Sequence, residues 1–554
     1  MLHFPEIFEA LLISRGLSKD ESADFINPSY ETLHDPLLLP DMELARDRVI
    51  QAIENNEHIV IFSDYDADGI PGAAVLADFF RRAGYKNVSY YIPHRHDEGF
   101  GLNTDAIKEC GDKKTKLIVT VDCGIADIKE LAYAKELGMD VIVTDHHLSA
   151  GELPEAYAIV NPKRDDSKYP FSELCGAGLA YKLAQAILAK KSFGIKEGME
   201  KWFLDLVAIA TLSDMVPLVG ENRVFAKFGL DVLRKSSRPG LQALMRRLRM
   251  DQSNLSEDDV VFMITPRINA ASRMGVPQDA FELLSTDDPV EAERLAAHLE
   301  KINNERKGVV ASLVKDAKKH LKGREKLGEV IVIGNPEWRP ALLGLVANSL
   351  VEEYMRPAFV WGRDGDGALK GSCRSYNGCN LYELMRASED HFLEFGGHAG
   401  AGGFSVTLEQ LTTLEENLSE ALRKLIKDQT LSADSQGPTL ENSTPTIQIN
   451  IKDIREELWD VVSLFAPFGM GNPKPVFKIS CEIKNIRTFG KENNHLEITI
   501  TEGKKDVKCI SFFSSPASFS LLPVPGLPCH IHAHLENSYF RNRSEIRLRI
   551  VDIQ

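Results

Sequence analysis

His58-Ile59-Val60-Ile61-Phe62-Ser63-Asp64-Tyr65-Asp66-Ala67-Asp68-Gly69 changes character at a single point, from an apolar run to an acid-rich turn. The β-branched and aromatic half predicts a buried strand, and the Asp-Gly that ends the second half is a turn former. Two further stretches repeat the transition: Leu117 to Val121 runs into Asp122-Cys123-Gly124, and Val141 to Thr144 runs into Asp145-His146-His147. Strands this apolar belong to a parallel sheet covered on both faces, and in such sheets ligands collect beyond the carboxyl ends of the strands. Asp64, Asp66 and Asp68, if extended, point to one side, where bare carboxylates repel unless cations or protons intervene. Three acidic strand ends therefore predict a metal site.

Working outward, helices near Met42 to Asn55, Gly72 to Ala83 and 127–137 alternate with these strands and with Val88 to Ile92, which fixes the class as α/β with a parallel sheet. Residues 46–286 form this first domain, and residues 1–45, broken by Asn27-Pro28-Ser29 and Leu39-Pro40-Asp41, read as an N-terminal cap. Asp287-Asp288-Pro289 with Glu291 opens a long connecting helix over 287–327, in which Leu295, Leu299, Ile302, Val309, Val310 and Leu313 recur at helical spacing. A smaller α/β domain follows over 328–426, with strands at Val330 to Ile333 and Ala358 to Trp361 around a helix near Leu342 to Glu353. Residues 427–446, rich in Ser, Thr, Asp and Pro, read as an exposed linker. Over 447–554, short alternating segments at Val476 to Ile479, His495 to Thr501, Val507 to Phe513 and Glu545 to Ile550 predict an all-β domain, a five-stranded barrel of the oligonucleotide-binding (OB) type or another small barrel.

The chain has 554 residues, too many for one core, with 65 basic against 81 acidic residues and a formal charge of -16. That balance is opposite to the one usual in nucleic-acid binders, so a polyanion must meet a local basic surface. Part of the acidity suits bound cations. Eight cysteines with no Cys-x-x-Cys pair argue against a structural zinc site or a disulfide framework and are expected to be reduced. No apolar run approaches a membrane span, and Met1 to Glu6 carries neither a basic flank nor an apolar core, so a soluble cytoplasmic protein without membrane attachment is expected.

Oxygen ligands with one or two imidazoles suit magnesium or manganese better than zinc. Asp214, at the end of the apolar run Phe203 to Ser213, is a fourth acid for the same site. Taken alone, Asp68-Gly69 or Asp122-Cys123-Gly124 is an ordinary turn and a lone histidine is more often structural. The set together favours a site.

Here the sequence resembles the DHH phosphoesterases, whose motif is present as Asp145-His146-His147. Ile92-Pro93-His94-Arg95 and Pro266-Arg267-Ile268-Asn269-Ala270-Ala271-Ser272-Arg273-Met274-Gly275 resemble the RecJ branch, the single-strand-specific exonucleases. The resemblance implies that Asp64, Asp66 and Asp122 hold one divalent cation and Asp68, Asp122, His146 and Asp214 a second, with Asp122 bridging. Asp64 stands in for a histidine that simpler relatives carry at the position of Phe62. Asp122, His147 and Asp145 are the implied catalytic residues, with Asp145 orienting a histidine and His147 meeting the phosphate. Gly396-Gly397-His398-Ala399-Gly400-Ala401-Gly402-Gly403-Phe404 resembles the signature of the DHH-associated domain; glycine backbone approaches an anion closely, and the run is expected to grip phosphate. Arg374 and Ser375 lie in the same domain, and Arg339 occupies a place where the family usually has histidine. Arg95, Arg267, Asn269 and Arg273 complete the implied substrate contacts, since arginine suits phosphate recognition; any one of these arginines is otherwise a structural ion-pair partner.

In the terminal domain Lys484, Arg487, Lys491, Arg541, Arg543, Arg547 and Arg549 are interleaved with Phe489, Tyr539 and Phe540, and Pro467-Phe468-Gly469-Met470-Gly471-Asn472-Pro473 resembles the opening of the family's barrel. Cations beside stacking faces suit a single strand, although Glu482, Glu492, Glu497 and Glu545 dilute the pattern.

The expected function is a two-metal nuclease, manganese- or magnesium-dependent, that degrades single-stranded DNA. The resemblance implies 5′ to 3′ polarity, release of 5′-mononucleotides, a role in DNA repair and recombination, and a monomer working with a single-strand-binding protein and a recombination or repair helicase. One rival is a phosphodiesterase of short oligonucleotides or cyclic dinucleotides, against which the barrel and the N-terminal cap weigh. The other is a non-catalytic DNA-binding scaffold, against which the intact acid motifs weigh.

Overall fold

The computed structural model describes residues 3–149, 151–324, 326–365, 367–427, 446–490, 493–503, 505–540 and 543–554, apart from the side chains of 539, 540, 543 and 544. The chain divides into two compact units, His34–Val216 with Phe228–Asn442, and Met1–Leu33 with Pro217–Lys227 and Ser443–Gln554.

The first unit is built on an all-parallel sheet of β1 (Ile59–Ser63), β2 (Val88–Tyr91), β3 (Leu117–Val121), β4 (Asp140–Thr144) and β5 (Ala158–Val160), in the order β2-β1-β3-β4-β5. β1 and β3 are buried along their whole length because helices cover both faces. Val60, Phe62, Ile118, Val141 and Val143 pack on one side among residues of the helices Thr104–Asp112 and Ile128–Glu136. Each such fully buried side chain contributes about 1.5–3 kcal/mol from removal of apolar surface from water. The helices Gly69–Arg82 and Gly176–Lys190 pack against each other.

Register levels the acidic ends. Ser63 lies opposite Val121, and the ladder continues past the strands as Asp64 N–H donates to Val121 O, Asp122 N–H to Thr144 O and Asp145 N–H to Val160 O, at 3.1, 2.9 and 3.2 Å.

The helix Pro289–Lys322 starts where the sequence places it, with the Asp288 carboxylate accepting from Val290 N–H. Leu295, Leu299 and Ile302 are buried in its first half, and Ala317 and Leu321 enter the core of a second sheet. That sheet runs β6 (Ile331–Gly334), β7 (Ala358–Arg363), β8 (Leu369–Arg374), β10 (Ala401–Val406), β9 (Glu394–Gly397); β6 and β7 are parallel and the other pairs antiparallel.

In the second unit β11 (Ile447–Ile449), β12 (Phe477–Phe489), β13 (His495–Glu502), β14 (Lys505–Phe512), β15 (Pro528–Phe540) and β16 (Arg543–Ile553) form one sheet, and pairing of β12 with β15 closes it into a five-stranded barrel that leaves β11 outside. Leu11 and Leu12 of the helix Pro5–Ile13 enter the barrel's core. The predicted cap therefore falls into two pieces, with Met1–Leu33 in the barrel's unit and His34 onward in the other. The expected linker lies almost wholly outside the described residues.

Candidate metal centre

The acid turn is not extended, as its spacing suggests. Asp66 Oδ1 accepts the N–H groups of Asp68 (2.8 Å) and Gly69 (3.3 Å) and so caps the helix Gly69–Arg82. The turn is fixed from outside by Asn269, whose Oδ1 accepts from Ala67 N–H at 3.0 Å. Asp68 turns away, to the start of the helix Gly176–Lys190, where its two oxygens accept from Gly176 N–H (2.6 Å) and Ala177 N–H (2.8 Å). The positive end of that helix favours a carboxylate there.

Asp122 sits in the left-handed region at φ 63°, a conformation costly for a residue with a side chain and characteristic of functional sites. Asp214 arrives from a helix, capping the C-terminus of Leu204–Ser213, where the partial negative charge of the carbonyls disfavours another anion.

Around Asp122 the side chains converge. His146 Nε2 lies 3.1 Å from Asp122 Oδ1, 3.6 Å from Asp68 Oδ2 and 3.7 Å from Asp214 Oδ2. Asp145 is turned to the other imidazole: its carboxylate accepts from His147 Nδ1 (2.7 Å), His147 N–H (3.0 Å) and Ile125 N–H (2.9 Å). His147 is thereby held with Nε2 free of Asp145.

These groups are poorly accommodated without counter-charge. Burial, then the neighbouring carboxylates, pushes Asp122 and Asp64 well above the usual range, Asp68 up to about 6 and Asp214 up to about 8. Burial and the charge of His147 lower His146 to about 3, which leaves its ring neutral and able to ligate. Burial also opposes charge on His147, but Asp145 and the surrounding acids outweigh it and raise the ring to about 9.

Asp64 Oδ1 and Asp122 Oδ1 are buried with no hydrogen-bond donor. Ligand atoms of Asp64, Asp66 and Asp122, and separately of Asp68, His146 and Asp214, lie within 4.8 Å of one another. Orphaned carboxylate oxygens in a set of oxygens with one imidazole fit hard divalent cations. All six acid and imidazole positions expected to ligate are thus brought together.

The other expected contacts divide. Arg95 stands over the Tyr65 ring at 4.8 Å, beside the acid turn. Burial, Arg95 and Arg374 together lower Arg273 to about 9, so three arginines crowd one place; Arg273 Nη1 also donates to Ala341 O at 2.6 Å, reaching the second α/β half. Burial and then Arg95 lower Arg374 in turn. All three are partly exposed, and cations that repel one another favour a nearby anion. Arg267 is different: it is buried, ion-paired with Glu300 at 2.8 Å and bound to Met263 O, the structural alternative its sequence left open.

The glycine run forms the hairpin β9–β10, with Gly396 opposite Gly403 and Gly397 opposite Gly402, so much of its backbone is paired rather than open to an anion. His398 remains on the exposed turn, its Nδ1 accepting from Gly400 N–H. Ser375 Oγ donates to Cys379 O at 2.5 Å, and Arg339 is an exposed helix cap.

In the barrel the described cations face acids: Lys484 pairs with Asp506, Arg487 with Glu497, and Arg547 and Arg549 with Glu536. Lys491 and Arg541, and the side chains of Tyr539, Phe540 and Arg543, lie outside the described residues. Sequence reasoning missed the partners of Phe489. His495, Phe512 and Phe513 gather with it, ring centroids 4.8–6.4 Å apart, and Phe513 is 80% exposed in a left-handed backbone at φ 55°. It also missed Gly176 and Ala177, whose only signal is a glycine-rich helix start.

Three family models match the chain in order: the DHH family N-terminal domain over 58–211, the DHHA1 domain over 325–428 and the RecJ OB domain over 446–552. The chain is 36% identical to a Bacillus subtilis single-stranded-DNA-specific exonuclease RecJ over 554 residues, all of this chain and 68% of that protein. It is 30% identical to the Haemophilus influenzae protein of the same description, with 86% and 84% of the two chains covered. The crystal structure of Thermus thermophilus RecJ in complex with Mn2+ is similar at a TM-score of 0.79 and 26% identity, over 99% of this chain and 75% of that one. Motifs, fold and full-length likeness agree, and this chain belongs to the RecJ family of DHH proteins.

Proposed function

We propose that the protein is a metal-dependent exonuclease that degrades single-stranded DNA from its 5′ end to 5′-mononucleotides. The observation that carries the reading is that Asp64, Asp66 and Asp122 form one cluster of ligand atoms and Asp68, His146 and Asp214 another, with His146 meeting Asp122 between them. It is supported by the names of the curated relatives and by manganese in the T. thermophilus structure.

Asp64, Asp66 and Asp122 would hold one cation and Asp68, Asp122, His146 and Asp214 a second, Asp122 being common to both. Manganese or magnesium bound there supplies Lewis acidity, lowering the pKa of water and offsetting the charge that develops on a phosphodiester during in-line displacement. The protein's own groups do the rest. Asp145 holds His147 through Nδ1 and fixes its orientation, so that a protonated Nε2 would donate to a phosphate oxygen. Arg95, Arg273 and Arg374 draw the anionic backbone to the same place, and Asn269 holds the acid turn in shape. For a strand entering 5′ end first, water attacks phosphorus, the bond to the 3′ oxygen breaks, and a 5′-mononucleotide leaves.

A passage between the two α/β halves of this unit that took one strand would exclude a duplex, making selection steric and electrostatic with little reading of bases. Exposed Phe512 and Phe513 offer rings on which bases of a longer strand stack, which favours a polymer over a cyclic dinucleotide. The family relationship supports work in repair and recombination beside a single-strand-binding protein and a helicase, as a cytoplasmic monomer. Among the described residues no helix is long and apolar enough to cross a membrane.

The test is a gel of 5′-blocked and free oligonucleotides, single- and double-stranded, with and without Mn2+. The proposal expects mononucleotides from the free single strand with metal alone. Equal degradation of duplex, or of the 5′-blocked strand, overturns it.

A further inference from the structure

Two thiols meet across the seam that closes the barrel. Cys481 of β12 and Cys529 of β15 are directly opposed in the ladder, and their Sγ atoms lie 3.8 Å apart. Both are free cysteines, Cys481 partly exposed and Cys529 buried at the second position of its strand, behind Pro528. Directly opposed residues of an antiparallel pair have Cα atoms about 4.5–5.5 Å apart, inside the range a disulfide spans, so bond formation needs side-chain rotation and little backbone movement.

We propose that Cys481 and Cys529 form a peroxide-responsive dithiol, a modification site that staples β12 to β15 when oxidised. The chemistry balances with one hydrogen peroxide. The Cys481 thiol, as its thiolate, attacks the peroxide and is oxidised to a sulfenic acid, and the hydroxide released takes up the thiol's proton to leave as one water. Cys529 sulfur then displaces the sulfenic hydroxyl, which leaves as a second water with the Cys529 proton, and the S–S bond forms. The division of roles follows exposure: Cys481 is the partly exposed thiol that peroxide reaches, and Cys529 is the buried one beside it. In a reducing compartment such a bond is transient, which suits a response to oxidant rather than a permanent brace. The third barrel cysteine, Cys509, is fully buried in β14 and serves as an internal control.

The full-length protein is treated with hydrogen peroxide, remaining thiols are alkylated under denaturing conditions, and peptides are mapped by mass spectrometry before and after dithiothreitol. The expected product has lost two hydrogens, joins the peptides of Cys481 and Cys529, leaves Cys509 alkylatable and reverts with dithiothreitol. Cys529→Ser is expected to leave Cys481 oxygenated and unlinked, and Cys481→Ser to leave no link at all. Oxygen addition without a link in the unsubstituted protein, or a link through Cys509, overturns the proposal.

Discussion

A Cβ on Gly176 would stand 2.5 Å from the Cβ of Asp122, closer than real Cβ atoms approach one another. The helix start that holds Asp68 is thus pressed against the residue expected to bridge the two cations, with glycine as the one side chain that fits. Alanine is normally preferred to glycine within helices by about 0.5–1 kcal/mol. In Gly176→Ala the methyl instead displaces Asp122. Activity on labelled single-stranded DNA is expected to fall by about 100-fold or more, as misplacement by about 1 Å commonly costs, with the far-ultraviolet dichroism unchanged. An alanine variant with full activity would show that Asp122 is not held as described.

Divalent cations are expected to stabilise the fold, because they relieve carboxylates that burial and mutual repulsion hold at raised pKa. An ion at 100 times its dissociation constant adds about 2.7 kcal/mol. Thermal unfolding with Mn2+ against chelator measures this. In Asp122→Ala, which removes a ligand shared by both sets, the increment is expected to shrink to a small fraction of its value.

A second buried charge cluster, separate from the metal centre, predicts a loss of stability. Arg238 bridges Asp205 and Asp78, each at 2.8 Å, and both acids are almost completely buried. Arg238→Met leaves the buried Asp205 without this cation and Asp78 with Arg81 and Arg82 alone, and is expected to cost about 3–5 kcal/mol in denaturant unfolding. Burial alone would raise Asp78; Arg238, Arg81 and Arg82 hold it below its ordinary value. A depressed acid stabilises the fold above the unfolded-state pKa and loses that contribution as pH falls through the folded-state value. The unsubstituted protein should therefore lose this part only below about pH 4, and the variant should keep only the share that Arg81 and Arg82 supply.

Phe513 trades stability for exposure. Its ring is 80% exposed and its backbone is left-handed, a combination that packing does not reward. Phe513→Gly is expected to be neutral or stabilising by up to about 1 kcal/mol, while affinity for a long single strand weakens by about 1–3 kcal/mol, the worth of one stacked base. Fluorescence anisotropy with a labelled oligonucleotide reads the second effect. Unchanged affinity would remove this ring from the strand's path.

The sequence exposes what is local. An apolar strand followed by an acidic turn is written in consecutive residues, so Asp64, Asp122 and Asp145 could be placed at the ends of β1, β3 and β4 from composition and register of the α/β pattern. Asp214 was legible as an acid but not as the cap of a helix, because Leu204–Ser213 is buried all round and shows no amphipathic period. The partners of Asp68 are Gly176 and Ala177, 108 and 109 residues away, and no local pattern announces them. Arg267 looked like a phosphate contact until Glu300, on another helix, proved to occupy it. The glycine run looked like an open cradle because pairing between Gly396 and Gly403 is invisible without the hairpin. Met1–Leu33 and the barrel lie at opposite ends of the chain, and only tertiary packing joins them.

Anomalous diffraction at the manganese absorption edge, from crystals of the full chain grown with Mn2+, locates the cations without reference to activity. Two peaks that share Asp122 are expected, one contacting Asp64 and Asp66 and the other contacting Asp68, His146 and Asp214. Peaks elsewhere on the molecule, or none at Asp122, would contradict a two-cation centre bridged by Asp122.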